Sequence, residues 1–584
     1  MYIRTTKRKN KDGSVVEYYQ LAHNERHPET KVPTTQIIHN FGRADQQDRD
    51  SLVRLCRSIA KICGVEVLDP SDKDGENHPK NSGLPDGIEC IITFELGTVV
   101  VIEALWERLG IGSILRKKVS IDGCTIPYER AVFAMVANRL CEPTSKLGVW
   151  CRWLTKVHIP SCQDLKLDHM YEAMDILKEH SEEIEKEVFY SVADLFNLEV
   201  DVVFYDTTTA SFTIDEEDED EEEDINETKD VQTDNSTADP KKGLRKFGRP
   251  KEGGWSVQVV VALAVTREGL PIRSWVFPGN TSDVTTIEKV KSDLKGWKLG
   301  RALFVADAGM NSAENRRELA RACGKYLLAT RLASVKELKE DVILRAGRYK
   351  TISENLRVKE AVVGDGVLQR RYIVCYNPVQ AKRESSHRKQ VVIELKEELS
   401  KHPDKTATNQ WAIQLKASGR YGRYLKITEE KLIEIDQDTI RNAAQLDGKW
   451  VIQTNDDTLS IEDAATGYKS LLIIERCFRS LKSTQIKMMP LHHRLPDRIE
   501  AHVKICVLAL LIERVAELSC EQSWFRIREV LRTLQLSKYR GEKIQFFQRN
   551  LPSKSVSDIF EKLKIDLPKR VCEISPPTEP AQNP

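Results

Sequence analysis

The sequence predicts an α/β protein in which a mainly helical N-terminal region precedes a mixed core, itself interrupted by a β-rich insertion. Three observations predict it. Apolar runs of about five residues at 201–206 and 301–307 each close on an acid followed by turn formers, Thr207-Thr208-Thr209 or Gly309, as buried strands that end in loops do. Segments at 282–294 and 311–323, before and after the second run, carry helical periodicity. Upstream, from about 95 to 197, apolar faces recur at helical spacing in 97–106, 131–140 and 174–177.

Taken in order, residues 1–68 form a small module: alternation at 15–21 and 35–42 predicts a hairpin, and the stretch to about 65 turns helical. Residues 69–87, rich in Asp, Lys, Asn and Pro, read as a linker. Residues 88–198 are helical, with modest basic clusters at Lys117-Lys118 and 152–156. The first part of the core, 199–330, has strands near 201, 255, 271 and 301, the two helices named above, and a strand at 326–329. The insertion spans 331–460, with strand-like runs at 371–376 and 450–454 and a charged helix near 384–400. Residues 461–520 return to the core with a helix around Glu475 and a long apolar run after His493. Basic helices and a Pro-rich tail from Pro576 close the chain.

At 584 residues the chain has material for about three or four domains. Its 89 basic and 89 acidic residues cancel, but unevenly: 215–224 is ten consecutive acids, which leaves the remainder at about +10. That stretch and its polar continuation to about 240 cannot bury enough apolar surface to order themselves, so 215–240 is expected as a disordered acidic insert between the first two core strands. The acids are either simply solvated or imitate a polyanion and shield a basic channel. Residues 241–251 carry six cations and no acid, suiting phosphate contact or plain solubilisation. Thirteen cysteines without a Cys-x-x-Cys pair point to a reducing compartment and no structural zinc. The basic start has no apolar signal region behind it, Glu513 interrupts the apolar run at 505–512, and nothing approaches the roughly 18 apolar residues of a membrane span. A soluble, cytoplasmic protein without membrane association is expected. No Gly-rich loop followed by Lys-Ser or Lys-Thr is present, so no nucleotide cofactor is expected.

The candidate chemistry rests on three acids. Asp206 and Asp307 end strand-like runs, where α/β proteins gather their sites, although Asp also begins turns for purely structural reasons. Glu475 lies on a helical stretch in which Tyr468, Glu475 and Lys482, seven apart, share a face with Arg479 close beside them. That stripe offers a carboxylate, a hydroxyl and two cations able to grip phosphate. Glu475 and Arg479 also fit an ordinary surface pair four apart. Carboxylate oxygens suit Mg²⁺ better than a His/Cys cage would, and two such ions about 4 Å apart meet the demands of phosphodiester transfer. On this reading Asp206 bridges two Mg²⁺, Asp307 and Glu475 each hold one, and Mn²⁺ can substitute. His492-His493 is a poor metal pair, because adjacent side chains rarely converge.

Tyr468, Glu475 and Lys482 fall on the spacing Tyr, two residues, Arg, three residues, Glu, six residues, Lys, with Leu471 in the arginine position. In this the chain resembles the DDE-class insertion-sequence transposases, specifically insertion-sequence family four. The likeness extends in order through Tyr205-Asp206-Thr207-Thr208, Gly269-Leu270-Pro271-Ile272, the segment 277–283, Ala306-Asp307-Ala308-Gly309, and 493–502. The resemblance implies an RNase H-like catalytic core split by the insertion, a homodimer that pairs two DNA ends, and an enzyme that cleaves transposon ends and joins their 3′-hydroxyls to target duplex DNA. Asp206, Asp307 and Glu475 would be catalytic and metal-binding. Tyr468, Arg479 and Lys482 would meet DNA, with Lys241, Lys242, Arg245 and Lys246 on the basic run and Arg331 beside the core. A transposase-derived protein that binds ends without cutting, and a different RNase H-like nuclease, are the alternatives.

Overall fold

The computed structural model describes residues 2–9, 15–26, 33–43, 88–120, 126–198, 200–213, 216–219, 243–251, 253–331, 338–364 and 369–576. The expected helical stretch before 65, the linker at 69–87, Lys241, Lys242, most of the acidic insert and the tail beyond 576 lie outside the described residues. Two compact units divide the chain, 1–86 and 87–584.

The first unit is a three-stranded antiparallel sheet of β1 (Tyr2–Lys9), β2 (Val15–Arg26) and β3 (Pro33–Arg43). Tyr2 pairs with Ala22 and Lys9 with Val15, so β1 adds a strand to the expected hairpin. Its Thr, Lys and Arg residues lack apolar alternation, which is why no strand is legible there.

The second unit opens on β4 (Glu89–Glu95), then α1 (Gly97–Arg108), α2 (Ile111–Val119), α3 (Tyr128–Cys141), α4 (Leu167–Glu179) and α5 (Ser181–Phe196). A mixed sheet follows, built from β5 (Val202–Ser211), β6 (Lys246–Gly248), β7 (Ser256–Val265), β8 (Pro271–Pro278), β9 (Leu303–Ala306) and β10 (Lys325–Thr330). A 3₁₀ turn at Asp283–Thr286 and α6 (Ile287–Gly296) lead from β8 to β9, and α7 (Ala313–Ala320) leads to β10. Strands β5, β9 and β10 run parallel, while β7 and β8 are antiparallel additions beyond β5. β7 is buried almost throughout, as a strand covered on both faces must be.

Residues 331–460 do not stand apart from this sheet. They supply β11 (Lys350–Ser353), β12 (Leu356–Val363), β13 (Arg370–Tyr376) and β16 (Lys449–Thr454), and β16 pairs with both β13 and β10, so the core sheet runs on into the insertion. Between β13 and β16 lie α8 (Pro378–Lys401), α9 (Gln410–Ala417), the hairpin β14 (Leu425–Ile427) with β15 (Ile433–Ile435), and α10 (Gln437–Leu446). These helices close over their own core of Val391, Leu395, Leu399 and Tyr424. The insertion is thus part sheet extension and part helical lobe, where β-rich character was expected.

The chain then returns through α11 (Ile461–Lys469), α12 (Leu472–Arg479) and α13 (Pro496–Cys520). α13 is buried on nearly every side, including Ala501, Ile505, Ala509 and Ile512, and packs against α3, α4 and β8. The carboxyl-terminal segment is α14 (Trp524–Leu531), β17 (Gln535–Arg540), β18 (Gln545–Arg549), α15 (Lys554–Lys562) and β19 (Val571–Ser575). Its three strands join β4 in one antiparallel sheet, where only helices were expected. The pairing partner of β17 lies more than 400 residues upstream, a separation that local periodicity does not register. Among the described residues no helix is long and apolar enough to cross a membrane.

Candidate active site

Strand register brings the first two acids together. β5 and β9 are parallel, with Tyr205 opposite Ala306, so Asp206, midway along β5, and Asp307, just past the end of β9, come out side by side on neighbouring strands, which lie about 4.8 Å apart in a sheet. The third acid arrives from α12, packed over β5 and β7. Tyr468 of α11 joins them: its hydroxyl donates to Asp307 Oδ1 at 3.0 Å. Burial, then the charges of Asp307, Asp206 and Glu475, raise the Tyr468 hydroxyl well above its ordinary range, which places all three acids within electrostatic reach of one phenol.

Alternation along β5 gives its two faces different tasks. Asp206 and Thr208 share one face, and Lys482 Nζ donates to Thr208 Oγ1 at 3.2 Å on it. Tyr205 and Thr207 point the other way, toward α6 and α7, where Tyr205 is fully buried with Phe304 and Trp275. Asp206 Oδ1 accepts the Thr207 backbone N–H at 2.8 Å and lies 3.4 Å from Lys251 Nζ. The Asp206 carboxyl is pushed up chiefly by burial, with Asp307 and Asp283 adding to the rise, while Lys251 and the Thr207 N–H oppose it.

Two residues of this neighbourhood are not singled out for the site by the sequence reading. Lys251 is the last cation of the basic run, and Asp283, whose Oδ1 accepts from Thr207 Oγ1 at 2.6 Å, closes the segment 277–283. The available signal was that segment's Gly-Asn-Thr-Ser-Asp ending, which reads equally well as a turn and helix cap.

The other sequence-derived residues are dispersed. Leu471 N–H bonds to Tyr468 O and Ile473 N–H to Ser470 O, a tightened turn that separates α11 from α12, and a π turn follows at Ser480–Thr484. Tyr468, Glu475 and Lys482 therefore sit on three short segments instead of one continuous stripe. Lys482, expected to grip phosphate, is only 9% exposed because the π turn directs it into β5. Arg479 is exposed and lines a cleft of about 440 Å³ with Glu513, Arg514 and Glu517. Arg331 is exposed, and its Nη2 would lie 3.8 Å from a Cβ added at Gly309. Arg245 pairs with Asp218 of the acidic run at 2.6 Å, and Lys246 Nζ donates to the Asp218 carbonyl at 2.7 Å. His493 packs against the rings of Tyr171 and His502.

Two protein families match. Residues 228–512 match the family described as "Transposase DDE domain", and residues 3–70 match "IS1634 family transposase, N-terminal domain". Residues 228–512 are thus similar to transposase DDE domains. The expectation of insertion-sequence family four is corrected: the amino-terminal match is to the IS1634 family. The matched DDE segment contains Asp307 and Glu475 and begins after Asp206, so Asp206 enters the site through the β5–β9 register alone. No curated protein matches the chain in sequence. Among solved structures, the "Cryo-EM structure of piggyBac transposase synaptic complex with hairpin DNA (SNHP)" aligns at 8% identity over 75% of this chain and 79% of that one, with a TM-score of 0.35. So loose a superposition decides nothing about fold or chemistry.

A divalent cation fits the donor chemistry of this site. The three acids offer only hard oxygens, and a bound cation would relieve the cost of holding Asp206 ionised in a half-buried position beside like charges. Among the described residues, no three His, Cys, Asp or Glu side chains are gathered tightly enough to form a metal cage by themselves.

Proposed function

We propose that this chain is a DNA transposase that cleaves the ends of a mobile element and joins the freed 3′-hydroxyls to target DNA, with Asp206, Asp307 and Glu475 as its catalytic acids. The observation that carries the reading is the β5–β9 register, which brings out Asp206 and Asp307 side by side, together with Tyr468, whose hydroxyl reaches Asp307 and feels all three acids. The order β8-β7-β5-β9-β10, two antiparallel strands beyond a parallel trio, supports an RNase H-like core for the DDE domain.

In this reading Asp206, Asp307 and Glu475 would hold Mg²⁺, which when bound supplies charge neutralisation and activation of an oxygen nucleophile. The chain's own groups set the stage. Tyr468 fixes the orientation of Asp307, the Thr207 N–H and Lys251 hold Asp206, and Lys482 anchors Thr208 two residues on. Water attacks the phosphodiester at the element end, a 3′-hydroxyl leaves, and that hydroxyl attacks target DNA at the same acids. One phosphodiester replaces another, so no nucleotide is consumed. A homodimer would pair the two ends.

The test is incubation of the purified chain with Mg²⁺ and a supercoiled plasmid carrying the DNA that flanks its gene on both sides. Nicks at fixed positions on each flank, followed by joined products, and loss of both in Asp206→Ala, Asp307→Ala and Glu475→Gln, are expected. Specific binding of the flanks without any nick, or cleavage that survives all three substitutions, would overturn the proposal.

A further inference from the structure

The two side chains that flank Asp206 on β5 end on the same short turn. Tyr205 Oη donates to Thr286 Oγ1 at 2.7 Å, and Thr207 Oγ1 donates to Asp283 Oδ1 at 2.6 Å. Both acceptors belong to the 3₁₀ turn Asp283–Thr286, and that turn is closed internally by Thr286 Oγ1 donating to the Asp283 carbonyl at 2.7 Å. Tyr205, Thr207 and Thr286 are essentially buried, at 0%, 1% and 0% exposure, so these bonds do not exchange freely with water.

The same turn reaches the second acid. Asn315, buried at the start of α7, donates from Nδ2 to the Val284 carbonyl and to the Met310 carbonyl, each at 2.9 Å. Met310 N–H in turn bonds the Asp307 carbonyl at 3.1 Å. Asp283 also abuts that loop directly, because a Cβ added at Gly309 would lie 3.4 Å from Asp283 Oδ2. Pairing of β5 with β9 sets the two strands side by side, while the loop after β9 is held to α11 by Tyr468 on Asp307 and to β10 by Asn311 Nδ2 on the Ala329 carbonyl at 2.8 Å, neither of which reaches β5. The Asp283 turn is what ties that loop to β5 from the face opposite the acids.

We propose that Asp283 is a positioning residue: through its hydrogen bond from Thr207 and its contact with the Asp307–Met310 loop, it fixes the separation of Asp206 and Asp307. The inference rests on the reading of those two acids as metal ligands. The hydrogen bond, and not the charge of Asp283, does the work, because Thr207 needs only an acceptor oxygen at that position. A carboxamide meets that need and a methyl group does not.

The experiment titrates Mn²⁺ alone into the full-length protein by calorimetry, with a thermal melt of each variant and end cleavage as a parallel readout. Wild type is expected to take up Mn²⁺ in a manner abolished by Asp206→Ala. Asp283→Ala and Thr207→Val should weaken that uptake by roughly 10-fold or more, the usual consequence of losing a group that orients a ligand. Asp283→Asn and Thr207→Ser should restore it to near wild type. Should Asp283→Ala fail to fold, Thr207→Val, which keeps shape and loses only the donor, decides. Wild-type-like Mn²⁺ uptake in both deleting variants, or equal weakening by Asn and Ala at 283, overturns the inference while leaving the proposed function intact. Wild-type protein without Asp206-dependent uptake overturns that function, and this inference with it.

Discussion

Burial makes Asp206 an unfavourable home for a bare negative charge, and Asp307 and Asp283 make it worse; that is the expected condition of an acid kept for cation binding. A carboxyl whose pKa is raised on folding contributes stability below its unfolded value, and that contribution is lost as pH rises through the folded value. Asp206→Asn should therefore melt at or above the wild-type temperature at pH 8 in the absence of divalent ions, while abolishing cleavage; a lowered melting temperature would show the charge to be structural. Glu513 gives the same sign with a value attached. Burial in α13 pushes its carboxyl from 4.5 up to about 7, with the charge of Glu517 adding to the rise and Ser480 opposing it. Ser480 Oγ lies 2.7 and 2.6 Å from the two Glu513 oxygens, so the hydroxyl donates to one and accepts from the other when Glu513 is protonated. Glutamine reproduces that pairing at every pH. Stability should thus fall by roughly 3 kcal/mol as pH rises from about 4.5 through 7 in wild type, and a pH series of melts on Glu513→Gln should lack that component.

At the level of elements, the strands that carry the acids were legible because an apolar run, an acid and a turn former is a local pattern. Residues 301–307 became β9 with its following loop, but β5 runs from Val202 to Ser211 and so continues through Thr207-Thr208-Thr209, read from sequence as a turn, because β-branched threonine fits a strand as readily as a loop. The Glu475 helix was legible as helix, yet its break at Ser470-Leu471 was not, since neither Gly nor Pro sits at it and every residue of the tightened turn from Tyr468 to Leu471 is tolerated in a helix. Lys482, read as a cation able to grip phosphate, lies instead in the π turn after α12, and tertiary packing buries it on Thr208. α13 was legible in outline for the opposite reason: a run apolar on all sides has to lie inside the protein. Ile505 is fully buried in the largest core cluster. Ile505→Ala should cost about 2–5 kcal/mol, read as a shifted denaturant midpoint, because the packed faces around the helix cannot collapse onto the void. A change below 1 kcal/mol would mean that α13 is less tightly enclosed than its burial indicates.

Across the whole molecule, what the sequence hides is pairing between distant segments. The strands at 371–376 and 450–454 were visible, but nothing in either run says that β16 bridges β13 to β10 and so makes the insertion continuous with the core sheet. Charge distribution is hidden in the same way. The total of zero conceals ten acids at 215–224 and a remainder near +10, and the structure brings part of that tract onto the basic run, with Asp218 paired to Arg245 and only 12% of each side chain exposed. Arg245, which the sequence reading would have meet DNA, is thus engaged by an acid of its own chain. Replacing the ten acids by Asn and Gln keeps the length and the backbone bond from the Asp218 N–H to the Arg245 carbonyl, and moves the net charge from 0 to +10. Affinity for an arbitrary duplex at about 50 mM salt should then rise by at least 10-fold and fall more steeply with added salt than in wild type, because each additional phosphate contact releases counterions. Equal affinity and an unchanged salt slope would mean that the tract is solvated away from the basic run's working surface, and that Arg245 serves the fold and not DNA.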